Sequence, residues 1–351
     1  MKNLTAIALI AFTLSSCSKE TKTVTKVDPE TGETITVEVP AEDSAQTAAN
    51  AVADPAIKEI DGVYTQRFKL EVGKSYPLTT YQKDQQTMTA PDGKTQSGTS
   101  ESRDEMSFKV NKFENGVYDI TIDLLAKKNT QAANGKSISV DTRQAEPKDE
   151  QLKMMYKVNK ALVGNKLNLK MKENGEVVSI TGFDPIYTKV TAAVSTLLKD
   201  AKQKTAFTQG FKESFNEKIL KDQVTKNLLL LPAKGAKIGD KWSVSENATP
   251  DGKIKLTTTY TLQKVGDGAA EISVVGGIPK KSDKKTQEGI TRSMSSELSQ
   301  NGKIILDQNS GWIKNQSITV KTSQSETLSD GKQSQTMKST SNSLVQVNPA
   351  R

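Results

Sequence analysis

FKVNKFENGVYDITI at residues 108–122 aligns without a gap on YTLQKVGDGAAEISV at residues 260–274. In the first stretch, apolar residues alternate as Phe108 and Val110, then Tyr118, Ile120 and Ile122. In the second they alternate as Tyr260 and Leu262, then Ala270, Ile272 and Val274. Period-two alternation around Glu114-Asn115-Gly116 and around Gly266-Asp267-Gly268 describes a β-hairpin with one buried face. The same positions point to the core in both copies, so the chain contains an internal repeat.

Three further landmarks recur in the same order. Gly73-Lys74-Ser75-Tyr76 matches Gly239-Asp240-Lys241-Trp242, and Pro91-Asp92-Gly93-Lys94 matches Pro250-Asp251-Gly252-Lys253. Asn174-Gly175-Glu176-Val177 matches Ser310-Gly311-Trp312-Ile313, although Leu167, Leu169 and Met171 upstream run out of phase with Ile304 and Leu306 on that alignment. From Gly73 to Pro91 is 18 positions, and from Gly239 to Pro250 it is 11. From Pro91 to Phe108 is 17, and from Pro250 to Tyr260 it is 10. Both arms are therefore longer by the same amount in the first copy, as antiparallel pairing requires. Residues 78–107 are expected to form a hairpin reaching about 23 Å beyond its counterpart, at about 3.3 Å per residue. Its polar arms predict exposure on both faces towards the tip, and mobility.

A helical block separates the copies. Asp184 is a candidate cap with Pro185 at the first helical position. Ile186, Val190, Ala193, Val194, Leu197 and Leu198 make one apolar stripe. A second helix is read through Phe207, Phe211, Phe215 and Ile219, with Leu228–Leu231 ending at Pro232. A shorter helix over Glu150–Leu162 should stop at Gly164. The Phe stripe reads as core packing against a sheet rather than as a lipid pocket. From Trp312 onward two long strands flank Asp330-Gly331-Lys332, rich in Ser, Thr and Gln, with one wet face. The expected fold class is α+β, mainly antiparallel β. Two related, curved, half-barrel-like β lobes carry the helical block inserted between them.

Composition excludes much chemistry. The 351 residues contain no histidine and one cysteine, and carry a formal net charge of +8. Without histidine, imidazole-activated nucleophiles and imidazole metal ligation are closed. The lysines are dispersed except at Lys280-Lys281-Ser282-Asp283-Lys284-Lys285, and read chiefly as a solvated surface. A sharper reading of the charge is attraction to anionic lipid heads or acidic glycans. Nucleic acid is not expected as a partner, because aromatics are too few for base stacking. Gly93-Lys94-Thr95 and Gly135-Lys136-Ser137 lack the glycine five positions upstream that a phosphate loop needs. Ser282 and Lys285 form an S-x-x-K spacing with no companion motif. Asp119 and Asp123 alternate with apolar residues and should face water, and no EF-hand spacing occurs. No catalytic residue, metal site or cofactor is assigned, and the chain is read as a non-enzyme.

The single cysteine, Cys17, follows Leu14-Ser15-Ser16, after Lys2 and an apolar run from Leu4 to Leu14. A basic start, a short apolar stretch and small residues at the cut make a secretory signal. Leu14-Ser15-Ser16-Cys17 resembles the lipobox of bacterial lipoproteins. That resemblance implies cleavage between Ser16 and Cys17 and acylation of Cys17, which then anchors the chain to a membrane without a spanning segment. Ser18 in place of aspartate points to the outer membrane by analogy with sorting rules. The expected organisation is a signal peptide over 1–16, a disordered tether over 17–56, a first β lobe with helices over 57–235, and a second β lobe over 236–348. Asp43-Ser44-Ala45 in the tether resembles a short O-glycosylation motif of envelope bacteria, making Ser44 a candidate.

The layout as a whole resembles an uncharacterised family of envelope lipoproteins, domain of unknown function 6263. The lipobox, Ile238-Gly239-Asp240-Lys241-Trp242 and Glu173-Asn174-Gly175-Glu176-Val177 carry the resemblance, which implies no known activity. A curved sheet with helices against it also looks like the lipid-carrying half-barrels of lipoprotein shuttles, at the level of fold only. The expectation is an envelope binding module for a lipid or glycan. The alternative is an assembly protein using hairpin 78–107, and the third reading is a carboxylate-based hydrolase.

Overall fold

The computed structural model describes residues 21–27, 34–40, 54–249, 252 and 254–349. They fall into two units parted between Asp54 and Pro55. In the first, β1 (Thr21–Val27) pairs antiparallel with β2 (Thr34–Pro40), so the stretch read as a featureless tether contains a two-stranded ladder. Ser16, Cys17 and Ser44 lie outside the described residues.

In the second unit, β3 (Ile57–Ile60) and β4 (Val63–Gln66) form a small ladder. Twelve strands make one antiparallel sheet. The first copy supplies β5 (Ser75–Thr89), β6 (Thr95–Glu114), β7 (Val117–Ala133), β8 (Lys136–Asp141), β9 (Lys166–Lys172) and β10 (Val177–Thr181). The second supplies β11 (Lys241–Asn247), β12 (Lys255–Gly266), β13 (Ala269–Gln287), β14 (Ile290–Asp307) and β15 (Ile313–Ser329), followed by β16 (Ser334–Val347). The spatial order is β10-β9-β7-β6-β5-β16-β15-β14-β13-β12-β11, with β8 beside β7. Four helices complete the unit: α1 (Glu150–Leu162), α2 (Phe183–Ser195), α3 (Ala201–Ser214) and α4 (Glu217–Leu228).

The repeat holds down to register. Phe108 lies opposite Ile122 and Val110 opposite Ile120; Tyr260 lies opposite Val274 and Leu262 opposite Ile272. Both hairpins carry a bulge at the equivalent place, after Val110 and after Leu262. Both turn through two positive-φ residues, Asn115-Gly116 and Asp267-Gly268, the pairing that a tight hairpin matched to strand twist demands. The suspected phase error upstream of the fourth landmark disappears. Tyr118 opposes Met171 and Ala270 opposes Leu306, while Ile120 opposes Leu169 and Ile272 opposes Ile304. The second copy has one extra residue in the following turn, so Leu169 matches Ile304 and Met171 matches Leu306.

The expectation of two lobes needs correction. The helices do fall between the copies in the chain, but the two β halves are not separate, because β16 pairs with both β15 and β5 and sews them into one sheet. The free arm needs correction too. Past the equivalent pairs Tyr76–Phe108 and Trp242–Tyr260, the first hairpin runs on to Thr89–Thr95, the second only to Asn247–Lys255. Its extra length is real, but Thr80–Thr89 pair with β16 and Gly98–Glu105 pair with β7. Long polar strands on both sides satisfy its backbone, so hairpin 78–107 is interior to the sheet.

The helices differ in detail. Gly182, at φ 102°, stands at the N-cap of α2 and leaves Asp184 inside the first turn. The second expected helix breaks at Phe215-Asn216, because Asn216 leaves the helical region and its side chain accepts a hydrogen bond from Ile219 N at 3.1 Å, capping α4. α1 has the expected bounds, with Gly164 at φ 80° just beyond.

Candidate functional site

The core fills the lower half of the sheet. Phe108, Ile120, Ile122, Leu167, Leu169, Ile272, Val274, Ile304 and Leu306 are buried from the strands. Ile186, Val190 and Val194 of α2 and Leu220, Val224 and Leu228 of α4 are buried from the helices. Trp312 joins the strands from beside the turn, 5.2 Å from the Phe108 ring centroid and 5.4 Å from that of Tyr76, and donates from Nε1 to Pro77 O at 2.9 Å. Gln66 is the buried polar clasp. Its Nε2 donates to Leu228 O and Gly311 O, and its Oε1 accepts from Leu230 N and Leu231 N, at 2.7–3.1 Å. Every hydrogen-bonding position of that amide is filled.

Helix α4 also covers the sheet's lower edges. Lys221 Nζ donates to Val178 O and Glu217 accepts from Ile180 N, both on β10. Lys226 pairs with Glu246 of β11 at 2.8 Å. Covering edge strands in this way blocks pairing with other chains. Phe207, Phe211 and Phe215 do not plug the sheet; they stack half-buried against one another and Tyr187 at the rim of the core.

The same face continues upward without a cover. Where β13 leaves the core, Gly276 and Gly277 bring backbones together: a Cβ there would meet Thr257 O at 2.3 Å and Leu298 O at 2.1 Å. A register shift follows between Ile278 and Lys281. Beyond it, Asp283, Met294, Glu326 and Met337 stand opposite one another in a row across β13, β14, β15 and β16. The next row, nearer the core, runs Lys281, Ser296, Gln324, Ser339 and Met88. Counting strand by strand from Ile304, Ile318, Val347 and Leu78 places these side chains on the core-facing side. The rows line a trough of about 590 Å³, with Ile254 at its edge. A second trough of about 740 Å³ shares Gln86 and Met88 and extends along β6, β7 and β8.

This wall is amphipathic. Met88, Met294, Met337, Leu328 and Ile290 are all exposed on it. Glu326 is held by Arg292, Nε to Oε1 at 2.6 Å, a hydrogen bond that raises the guanidinium pKa. Methionine side chains are flexible and polarisable and adapt to irregular apolar partners. A concave wall of a few hundred Å³ with apolar side chains and sparse polar groups is the usual form of a small-ligand site. Among the described residues, no group of three or more His, Cys, Asp or Glu is placed to hold a metal. None of the described helices is long and apolar enough to cross a membrane.

Sequence reasoning did not find Met88, Met294, Met337, Leu328 or Ile290. The signal existed as alternation continued from Ile304 along β14, but Ser, Gln and Thr dilute it, and the β13 bulge inverts the phase of its last residues. The lysine-rich run lies on β13 at the outer side of this region, where β12 has ended and, among the described residues, β14 is the one strand paired with it. Ser282 and Lys285 are exposed and three positions apart on β13, which turns them to opposite faces of the sheet.

Comparison with known proteins adds a family and no activity. The model of a family of unknown function, DUF6263, matches residues 115–313. No curated protein matches the sequence. Among solved structures, a lipovitellin structure concerned with lipid–protein interactions matches at 13% identity and a TM-score of 0.34, over 81% of this chain and 26% of that one. The chain thus spans about a quarter of that protein's length. The Pseudomonas aeruginosa protein OccK7 (OpdD) matches at 7% identity and a TM-score of 0.19, over 78% of this chain and 98% of that one. An outer membrane channel from Pseudomonas putida F1 matches at 9% and 0.19, over 82% and 100%.

Proposed function

The chain belongs to DUF6263, a family of unknown function, and we propose that it is a non-catalytic binding module of the cell envelope that holds a single-chain amphiphile. The observation that carries this reading is the continuity of one sheet face. It passes from a close-packed core to an open wall where Met88, Met294 and Met337 alternate with Ser, Gln and one Arg–Glu pair. An apolar tail would lie along the methionines, and its head would meet Lys281, Arg292 or Gln324. Acylation of Cys17, the second part of the proposal, would hold the module at the outer membrane, with about 0.8 kcal/mol contributed per buried methylene.

A fluorescent fatty acid titrated into the purified chain tests the site. Binding is expected in the micromolar range, and Ser339→Trp, which fills the trough, should abolish it while far-UV circular dichroism is unchanged. Equal binding by the Trp variant would remove the trough from consideration. Intact mass of the membrane-extracted protein tests the anchor: the mature mass should include acyl chains, and Cys17→Ala should lose them. In the alternative, an assembly protein using hairpin 78–107, the contact would fall on the exposed faces and turn of that hairpin, since both of its edges are paired.

A further inference from the structure

We infer that the distal rim of the sheet is a docking surface for an anionic lipid bilayer, the surface from which the trough takes its ligand; this rests on the amphiphile-binding reading above. Register puts the turns of four hairpins at one end of the sheet. They are Ala90–Lys94 between β5 and β6, Asn134-Gly135 between β7 and β8, Glu288-Gly289 between β13 and β14, and Asp330–Gln333 between β15 and β16. Met88, Ile290, Met294, Leu328 and Met337 all lie within six residues of one of these turns and are exposed. Apolar side chains left this exposed near the ends of long strands lie outside the core.

The charges beside them have one sign in excess. Lys280, Lys281, Lys284 and Lys285 are exposed where β13 has run past the end of β12 and is paired on one side only, with β14, and Asp283 is the one acid among them. Lys285 stands directly opposite Arg292, so two cations share the inner face at the rim. Of the rim acids, Glu326 is paired with Arg292 and Asp92 with Lys94 at 2.7 Å, while Glu288 and Asp330 lie in the turns and are outnumbered by the four lysines of β13 together with Lys332. Lysines on an open strand also discourage pairing with a second chain, and that role accounts for charge on the strand edge. It does not account for the apolar side chains next to it. Apolar groups flanked by lysines match the layered chemistry of a bilayer surface, hydrocarbon beneath anionic heads. A second copy is a poorer occupant, because two such rims would bring eight lysines together.

The test uses the full chain carrying Cys17→Ala, so that no acyl anchor contributes, with vesicles of phosphatidylcholine alone or with one third phosphatidylglycerol. Any contribution of the apolar leader is common to all variants. Co-sedimentation should be stronger with the anionic vesicles and weaken with salt. Replacing Lys280, Lys281, Lys284 and Lys285 together by Gln should lower the anionic partition coefficient at least tenfold, as should Met294→Ser with Leu328→Ser. Both variants should keep the circular dichroism spectrum of the parent. Partitioning unchanged in both variants, or indifferent to vesicle charge, would overturn the inference, as would a dimer by sedimentation that either variant dissolves. The fatty-acid titration separates the two ideas: saturable fatty-acid binding with no vesicle binding sinks the docking surface alone. Loss of both sinks the amphiphile reading with it.

Discussion

The lower and upper halves of the sheet are built from the same strands, with the same face turned inward, and end in opposite states. At the level of Ile272, Ile304 and Phe108, that face is closed by α2 and α4 and is fully buried. At the level of Met294, Met337 and Met88, ten or more residues further along the same or neighbouring strands, it is open. What differs is the cover. The helical block closes only the end of the sheet where the core lies, and the longer strands extend past it. Burial in this protein is therefore set by which strand segment lies under a helix, and the sequence adjusts to it: branched aliphatics below, Met with Ser, Thr and Gln above.

The contrast makes graded demands on stability. Phe108→Ala empties a site ringed by Ile122 and Trp312 and should cost about 3–5 kcal/mol, read as a lower urea midpoint. A cost under 1 kcal/mol would mean that the lower half is loosely packed. Gln66→Leu leaves Leu230 N and Leu231 N without their buried acceptor and should cost about 1–3 kcal/mol. A neutral outcome would show that water reaches the clasp.

Acid should act between the halves, at Glu105. Arg143 donates to both of its carboxylate oxygens and Arg103 to one. These hydrogen bonds, Arg143 first, overcome the cost of burial and pull its pKa from 4.5 down to about 2. A depressed carboxylate stabilises fully above its ordinary pKa, and loses that contribution as pH falls from about 4.5 towards 2. Solvent screening of the exposed arginines reduces the effect to about 1 kcal/mol. The difference in unfolding free energy between the parent and Glu105→Gln, from urea titrations, should shrink by more than half of that amount between pH 6 and pH 3; a difference independent of pH would discard the pairing. The smallest effect belongs to the upper wall. Met294→Ala or Met337→Ala should change stability by less than about 0.5 kcal/mol, because both stay exposed outside the core. A loss of 2 kcal/mol there would mean that the wall is covered in solution.

Much of the fold was legible in advance, for reasons that can be named. The repeat was readable because alternation in 108–122 and 260–274 is strict and each turn carries its own two-residue signal. The length of β5 and β6 was readable because two arms of a hairpin must grow together. The break between α3 and α4 was hidden, since Phe207, Phe211, Phe215 and Ile219 keep helical spacing across a cap at Asn216. The trough was hidden for a different reason. Its rows consist of residues from β5, β13, β14, β15 and β16, with Met88 and Ser339 directly opposite each other although 251 positions apart in the chain (339 − 88).

Local rules in the chain settled what each segment is: which residues alternate, where turns fall, which copy is longer, and that histidine and thiol chemistry is absent outside Cys17. Such properties depend on neighbours a few residues away, and a sequence states those neighbours outright. The tertiary structure alone decided that β16 joins the two copies into one sheet, that the long hairpin is interior, and that Met88, Met294 and Met337 share an open wall. Those outcomes depend on strand order and on where a bulge shifts the register, and backbone hydrogen bonds between distant strands carry no side-chain signature.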